Sequence, residues 1–155
     1  MKKAFQRKLL PPMILLLLLC ACGGNGGGKT AEFDPAATAN ALLASEAFSE
    51  GLVSIDQDIA CMLYGIDEDT VTGSAVYGST GATAEEIAVF AFADADGAAA
   101  GKTALETRIS EQKIALESYQ PAELVKLDAA LIEQRGNSVL MVVAADQEAA
   151  KAAFS

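Results

Sequence analysis

The chain has 155 residues, 52% of them hydrophobic, with no Trp and no His. The missing histidine excludes Ser/His and Cys/His nucleophilic pairs and removes the commonest metal ligand. The formal charge is −10; four of the 11 basic residues precede Cys20, so beyond residue 21 there are 7 basic against 21 acidic residues, a net −14. A domain that acidic repels nucleic acid and anionic lipid headgroups, which excludes basic-patch recognition of either.

The N-terminus divides into three parts. Lys2, Lys3, Arg7 and Lys8 form a positive segment, Met13 to Leu19 an apolar run after Pro11-Pro12, and small residues then lead into cysteine. This is the layout of an export signal, since the run is too short for a hydrocarbon core that needs about 20 residues. Leu19-Cys20-Ala21-Cys22 resembles a bacterial lipobox, and Cys22 fits the +1 position better than Cys20, which would have two bulky leucines before it. The expectation is a lipoprotein signal peptide over residues 1–21, diacylglycerol and acyl groups (palmitate among them) on Cys22, and a Gly-rich linker over 22–33. Two acyl chains suffice for stable anchoring. Cys61 is then the one thiol left, and on an apolar helical pattern it reads as a packing residue.

Gly23 to Thr30 also matches G-x-x-x-x-G-K-[ST] letter for letter. A phosphate-binding loop must open directly into a helix, and here Pro35 would fall in its second turn, at a cost of about 3 kcal/mol. Asp34-Pro35 reads instead as the start of a separate helix. Asp146, at the end of the apolar run Val139 to Ala144, is likewise simpler as a helix cap than as a magnesium ligand. No nucleotide is expected.

From Asp34 the pattern is regular. A first helix covers about 35–48, with Ala39, Leu42 and Leu43 inward. A second covers about 56–64, carries an Ile55/Ile59/Met62/Leu63 stripe and stops at Gly65. A strand over about 71–79, a turn at Thr80 to Thr83 and a strand over about 86–93 follow. The second of these is apolar on both faces, which suggests a central place in the sheet. A long helix runs over about 98–119, with Ala98, Leu105, Ile109, Gln112, Leu116 and Tyr119 on one side and Ile114 opposite. Strands over about 129–135 and 138–144 flank the hairpin turn Gly136-Asn137, and a short helix closes the chain at 147–154. The order α-α-β-β-α-β-β-α implies an α+β fold: a four-stranded antiparallel sheet with helices packed on one face.

The segments LYGID (Leu63–Asp67), SAVYGSTGATAEEIAVFAF (Ser74–Phe92), LETRISEQKIALESYQPAE (Leu105–Glu123) and GNSVLMVVAAD (Gly136–Asp146) resemble the DUF4358 family of small lipoproteins from Gram-positive, clostridia-like bacteria. The resemblance covers residues 34–155 and implies a lipoprotein on the outer face of the cytoplasmic membrane. It implies no reaction.

Several constellations bear on function. Glu85-Glu86, before and at the start of the second strand, offers carboxylates for a cation or a basic partner, or simply faces water; as neighbours on a strand the two cannot converge on one ligand. Asp67-Glu68-Asp69 lacks the spacing of a calcium loop. Asp94 to Gly97 is explained by capping of the long helix. Arg108, Gln112 and Tyr119 form a polar strip that could line a groove or bond the sheet edge. Ser79-Thr80-Gly81 presents a hydroxyl with no base to activate it. Binding is therefore assigned to Glu85, Glu86, Arg108 and Tyr119, lipidation to Cys22, and no residue to catalysis or metal. The expected role is a membrane-anchored, extracytoplasmic, non-catalytic module that binds a protein or envelope component, with no cofactor beyond the lipid. The alternative is a carboxylate-dependent hydrolase of cell-wall glycans.

Overall fold

A computed structural model describes residues 31–155. Cys20, Cys22, the 1–21 signal and most of the 22–33 linker lie outside the described residues. Asp34 caps the first helix, α1 (Pro35–Leu43), by accepting from the Ala37 amide at 2.8 Å, with Pro35 in the first turn where its missing N–H costs nothing. Strand β1 (Val53–Ile55) leads into α2 (Gln57–Tyr64), which ends at Gly65 in the left-handed conformation (φ 67°). Strands β2 (Val71–Gly78) and β3 (Glu86–Phe92) precede the long α3 (Ala95–Leu116), whose N-terminus Asp94 caps through the Gly97 amide at 2.8 Å. One-turn helix α4 (Leu124–Asp128) follows, then β4 (Leu131–Arg135), β5 (Ser138–Val143) and α5 (Gln147–Phe154), capped by Asp146.

The sheet is antiparallel throughout, in the order β1-β2-β3-β5-β4. Five strands replace the expected four, because β1 has only three residues, too few for a period-2 pattern to be read. Helix α4, with five residues, is likewise too short for the 3.6-residue helical period to show.

Helices cover both faces of the sheet, not one. Ala88, Phe90 and Phe92 of β3 and Val139, Met141 and Val143 of β5 join Ala60, Cys61, Tyr64, Leu105, Ile109 and Leu127 beneath α2, α3 and α4. Ile87, Val89, Leu140 and Val142 join Ala39, Leu42 and Ala150 beneath α1 and α5. The two central strands are apolar on alternate residues in both directions, so each face must be covered, and a single helical layer would leave one in water.

Three further expectations are corrected. In α2 the buried face is Ala60, Cys61 and Tyr64, while Ile59, Met62 and Leu63 are exposed. The small residues permit the close approach of α2 to the sheet that puts the Tyr64 ring edge-on to Phe90 at 5.6 Å. Helix α3 ends at Leu116, and the Tyr119 and Gln120 amides turn back onto the Leu116 carbonyl, so Tyr119 leaves the inner face and is 79% exposed. Finally, the last residues assigned to the linker belong to the domain, since Phe33 is buried against Phe154.

Candidate functional site

β3 enters the centre of the sheet at Glu86, and strand alternation puts its side chain on the same face as Ala88 and Phe90, beneath α2 and α3. Arg108 and Gln112, one helical turn apart on α3, reach down to it. Arg108 approaches through Nε at 3.4 Å and Nη2 at 3.2 Å, Gln112 donates Nε2 at 2.7 Å, and the Tyr64 hydroxyl donates to Oε1. The carboxylate is 5% exposed and has four donors around it, which is how a charge survives burial. Burial, then the Glu86 charge, pushes the Tyr64 phenol well above the usual tyrosine range, so it stays a donor.

Glu85 precedes the strand and sits between the two helical layers at the sheet's end. It takes the Ser49 amide at 2.9 Å and the Ser49 hydroxyl at 2.5 Å from the α1–β1 connection, and the Lys126 ammonium at 2.9 Å from α4. Burial raises its carboxyl, but the bonds from Ser49 and Lys126 overcome this and hold it below the usual carboxylate range. Lys126, lowered by burial and raised more by Glu85 and Glu123, ends above the usual lysine range. Glu123 also accepts the Ala84 amide at 2.9 Å. Glu50 accepts the hydroxyls of Ser79 and Thr83, both at 2.6 Å, which pull its carboxyl down. The β2–β3 turn is thereby tied to both layers, and the Ser79 hydroxyl, read from sequence as a turn hydroxyl without a base, donates to the Glu50 carboxylate as part of that tie.

Above these two clusters lies a groove of about 380 Å³, walled by Leu63 of α2, Leu116 at the end of α3, Tyr119 and the β2–β3 turn, with Glu86, Arg108 and Gln112 in its lining. All four residues assigned to binding from sequence line it. As strand alternation requires, Glu85 and Glu86 share no partner; contrary to the water-facing reading, both are buried. Sequence reasoning missed Tyr64, Lys126 and Ser49. Nothing in the sequence spacing links them to position 85 or 86, because they come from three separate elements.

The chemistry available follows from these bonds. Both carboxylates are matched by a cation and filled with donors. Among the described residues, Arg108 Nη1 has no partner, so a ligand would meet that N–H, the Gln112 carbonyl, the exposed Tyr119 ring and the apolar Leu63 and Leu116. No grouping of three or more His, Cys, Asp or Glu side chains among the described residues could hold a metal; Asp67 instead accepts the Asp69 amide in a short 3₁₀ turn, Glu68–Thr70. Cys61 is buried, and burial followed by nearby Glu68 and Asp58 raises its thiol, so little thiolate forms near neutral pH. No helix among the described residues is long and apolar enough to cross a membrane.

A family model described as "Domain of unknown function (DUF4358)" matches residues 45–144. That span holds the whole sheet, α2 to α4 and every residue of both carboxylate clusters, and leaves out α1 and α5. No curated protein and no solved structure matches the chain.

Proposed function

The chain belongs to the DUF4358 family, and for it we propose the role of a non-catalytic binding module, held by a lipid on Cys22 at the outer face of the cell membrane, whose groove takes a segment of a protein partner. The observation that carries the binding reading is the locked floor beneath an open, apolar rim. Glu86 is fixed by Tyr64, Arg108 and Gln112, while Tyr119 and Leu63 above it stay exposed. A fixed polar base with the Arg108 Nη1 group left to donate, beneath a solvent-facing aromatic, is the composition of a recognition surface. The lipobox-like Leu19 to Cys22 supports the tether.

The glycan-hydrolase alternative asks one carboxyl of a pair to stay protonated as general acid near neutral pH while the other acts across the scissile bond. The bonds to Glu85 pull the opposite way, and Glu85 and Glu86 face separate partners. This favours binding.

Site-specific photo-crosslinking in cells tests the reading. A photo-reactive residue at position 119 is expected to give a discrete protein adduct that Arg108→Ala weakens. The same group at Ile114, exposed on the other side of α3, should give none. Equal adducts from both positions would count against the groove, and a Cys22→Ala chain that stays as firmly in the membrane fraction as the parent would count against the tether.

A further inference from the structure

The chain just ahead of α1 is held in place at Glu32 and Phe33. The Phe33 amide donates to Ser138 Oγ at 2.7 Å, and the Asn137 amide donates to Glu32 Oε1 at 3.0 Å. The Phe33 ring lies edge-on to Phe154 at 6.0 Å and under the Arg135 guanidinium at 4.2 Å. Residues 32 and 33 are therefore clamped beside the β4–β5 turn.

The sheet register puts that turn and the groove at opposite poles. On β5, Ser138 pairs with Ala91 at the turn end and Val143 pairs with Glu86 at the groove end. Five residues at about 3.3 Å each separate the two by about 17 Å. Helix α3 makes the same journey and overshoots it. It starts directly after β3, meets Glu86 with Arg108 and Gln112, and its last turn with Tyr119 builds the groove wall beyond the strand. Its 22 residues at about 1.5 Å span about 33 Å.

We propose that the groove opens away from the bilayer and takes its protein segment from the aqueous, wall side, not from a membrane-embedded partner or a lipid headgroup. This rests on the Cys22 tether proposed above. From Cys22 to Glu32 the chain has about ten residues, which reach about 34 Å at full extension. Turning the groove to the headgroups would force that segment back along nearly the whole length of α3, close to full extension, with a large loss of chain entropy. The outward pose asks for no such extension. Charge acts in the same direction: 21 acidic against 7 basic residues beyond residue 21, a net −14, oppose laying any long face on anionic lipid.

The full lipidated chain in liposomes with an acceptor-labelled headgroup lipid decides the matter by energy transfer. Donors go on Asp96→Cys, exposed in the first turn of α3, or on Ser118→Cys, exposed just past its end, each in a Cys61→Ala background. Transfer from position 96 is expected to be at least twofold higher than from position 118. Equal or reversed transfer overturns the inference while leaving the tether intact. Protein that fails to associate with the liposomes overturns the tether, and the inference falls with it. Ala99→Cys and Glu117→Cys, also exposed, repeat the comparison should either first variant misfold.

Discussion

Replacing Glu86 with Ala tests the floor of the groove directly. The substitution strips the Tyr64 hydroxyl, the Arg108 guanidinium and the Gln112 amide of their shared acceptor. Breaking a buried pair from one side costs about 3–5 kcal/mol where the remaining charge cannot escape. The Arg108 side chain is 22% exposed and can turn to water, which lowers the expected loss to about 2–4 kcal/mol; Tyr64, at 6% exposure, cannot, and keeps it from falling further. Urea unfolding of the mature chain carrying Cys22→Ala, followed by far-UV circular dichroism, measures this as a drop in midpoint at unchanged slope. Glu86→Gln keeps the volume and one acceptor and should lose about half as much. Combining it with Arg108→Met should cost less than the sum of the two single changes, because the buried cation leaves with the anion. A Glu86→Ala chain within about 0.5 kcal/mol of its parent, the range of an ordinary surface change, or strictly additive double variants, would refute the claim that this cluster is a coupled, buried anchor.

Two other outcomes are expected. Stability should be flat through neutral pH and fall at both ends. The folded carboxyl of Glu85 lies below its unfolded value, so its contribution is present above about pH 4.3 and is lost as pH drops through the folded value. Lys126 lies above its unfolded value, so its share is complete below about pH 10.4 and is lost above, where Tyr64, held neutral by burial while the unfolded phenol ionises, adds to the loss. Thermal melts from pH 3 to 11 would show this, and Glu85→Gln should flatten the acid limb; an unchanged acid limb contradicts the assignment. Gly101→Ala should destabilise by about 1–3 kcal/mol in the same urea assay, despite a helix-propensity gain of about 1 kcal/mol. The new methyl would sit 2.7 Å from Phe92 Cε2, beneath a ring that is itself buried; a stabilised variant would mean that α3 stands further from the sheet.

The local elements were legible residue by residue. Asp34, Asp94 and Asp146 each stand before a helix and each accepts an amide of its first turn; Gly65 and Gly136 stand where the backbone needs positive φ. The closing helix and the Gly136-Asn137 hairpin fall where the pattern puts them. These features depend on a residue and its near neighbours, so their chemistry is written in adjacent letters. The site was half legible. Arg108 and Tyr119 stood out as part of a strip that could line a groove, and Glu85 and Glu86 as a carboxylate pair, but not as lining the same groove.

What the sequence by itself determined is this local grammar, the family and the strongly acidic balance of charge. Tertiary structure alone decided that helices cover both faces of the sheet, that α2 turns its small residues inward and its larger apolar ones out, and that two neighbouring carboxylates are buried with separate partners. The physical reason is distance along the chain. Lys126 stands 41 residues from Glu85 and Gln112 stands 26 from Glu86, and no short-range period encodes a bond between groups that only the closed sheet brings together.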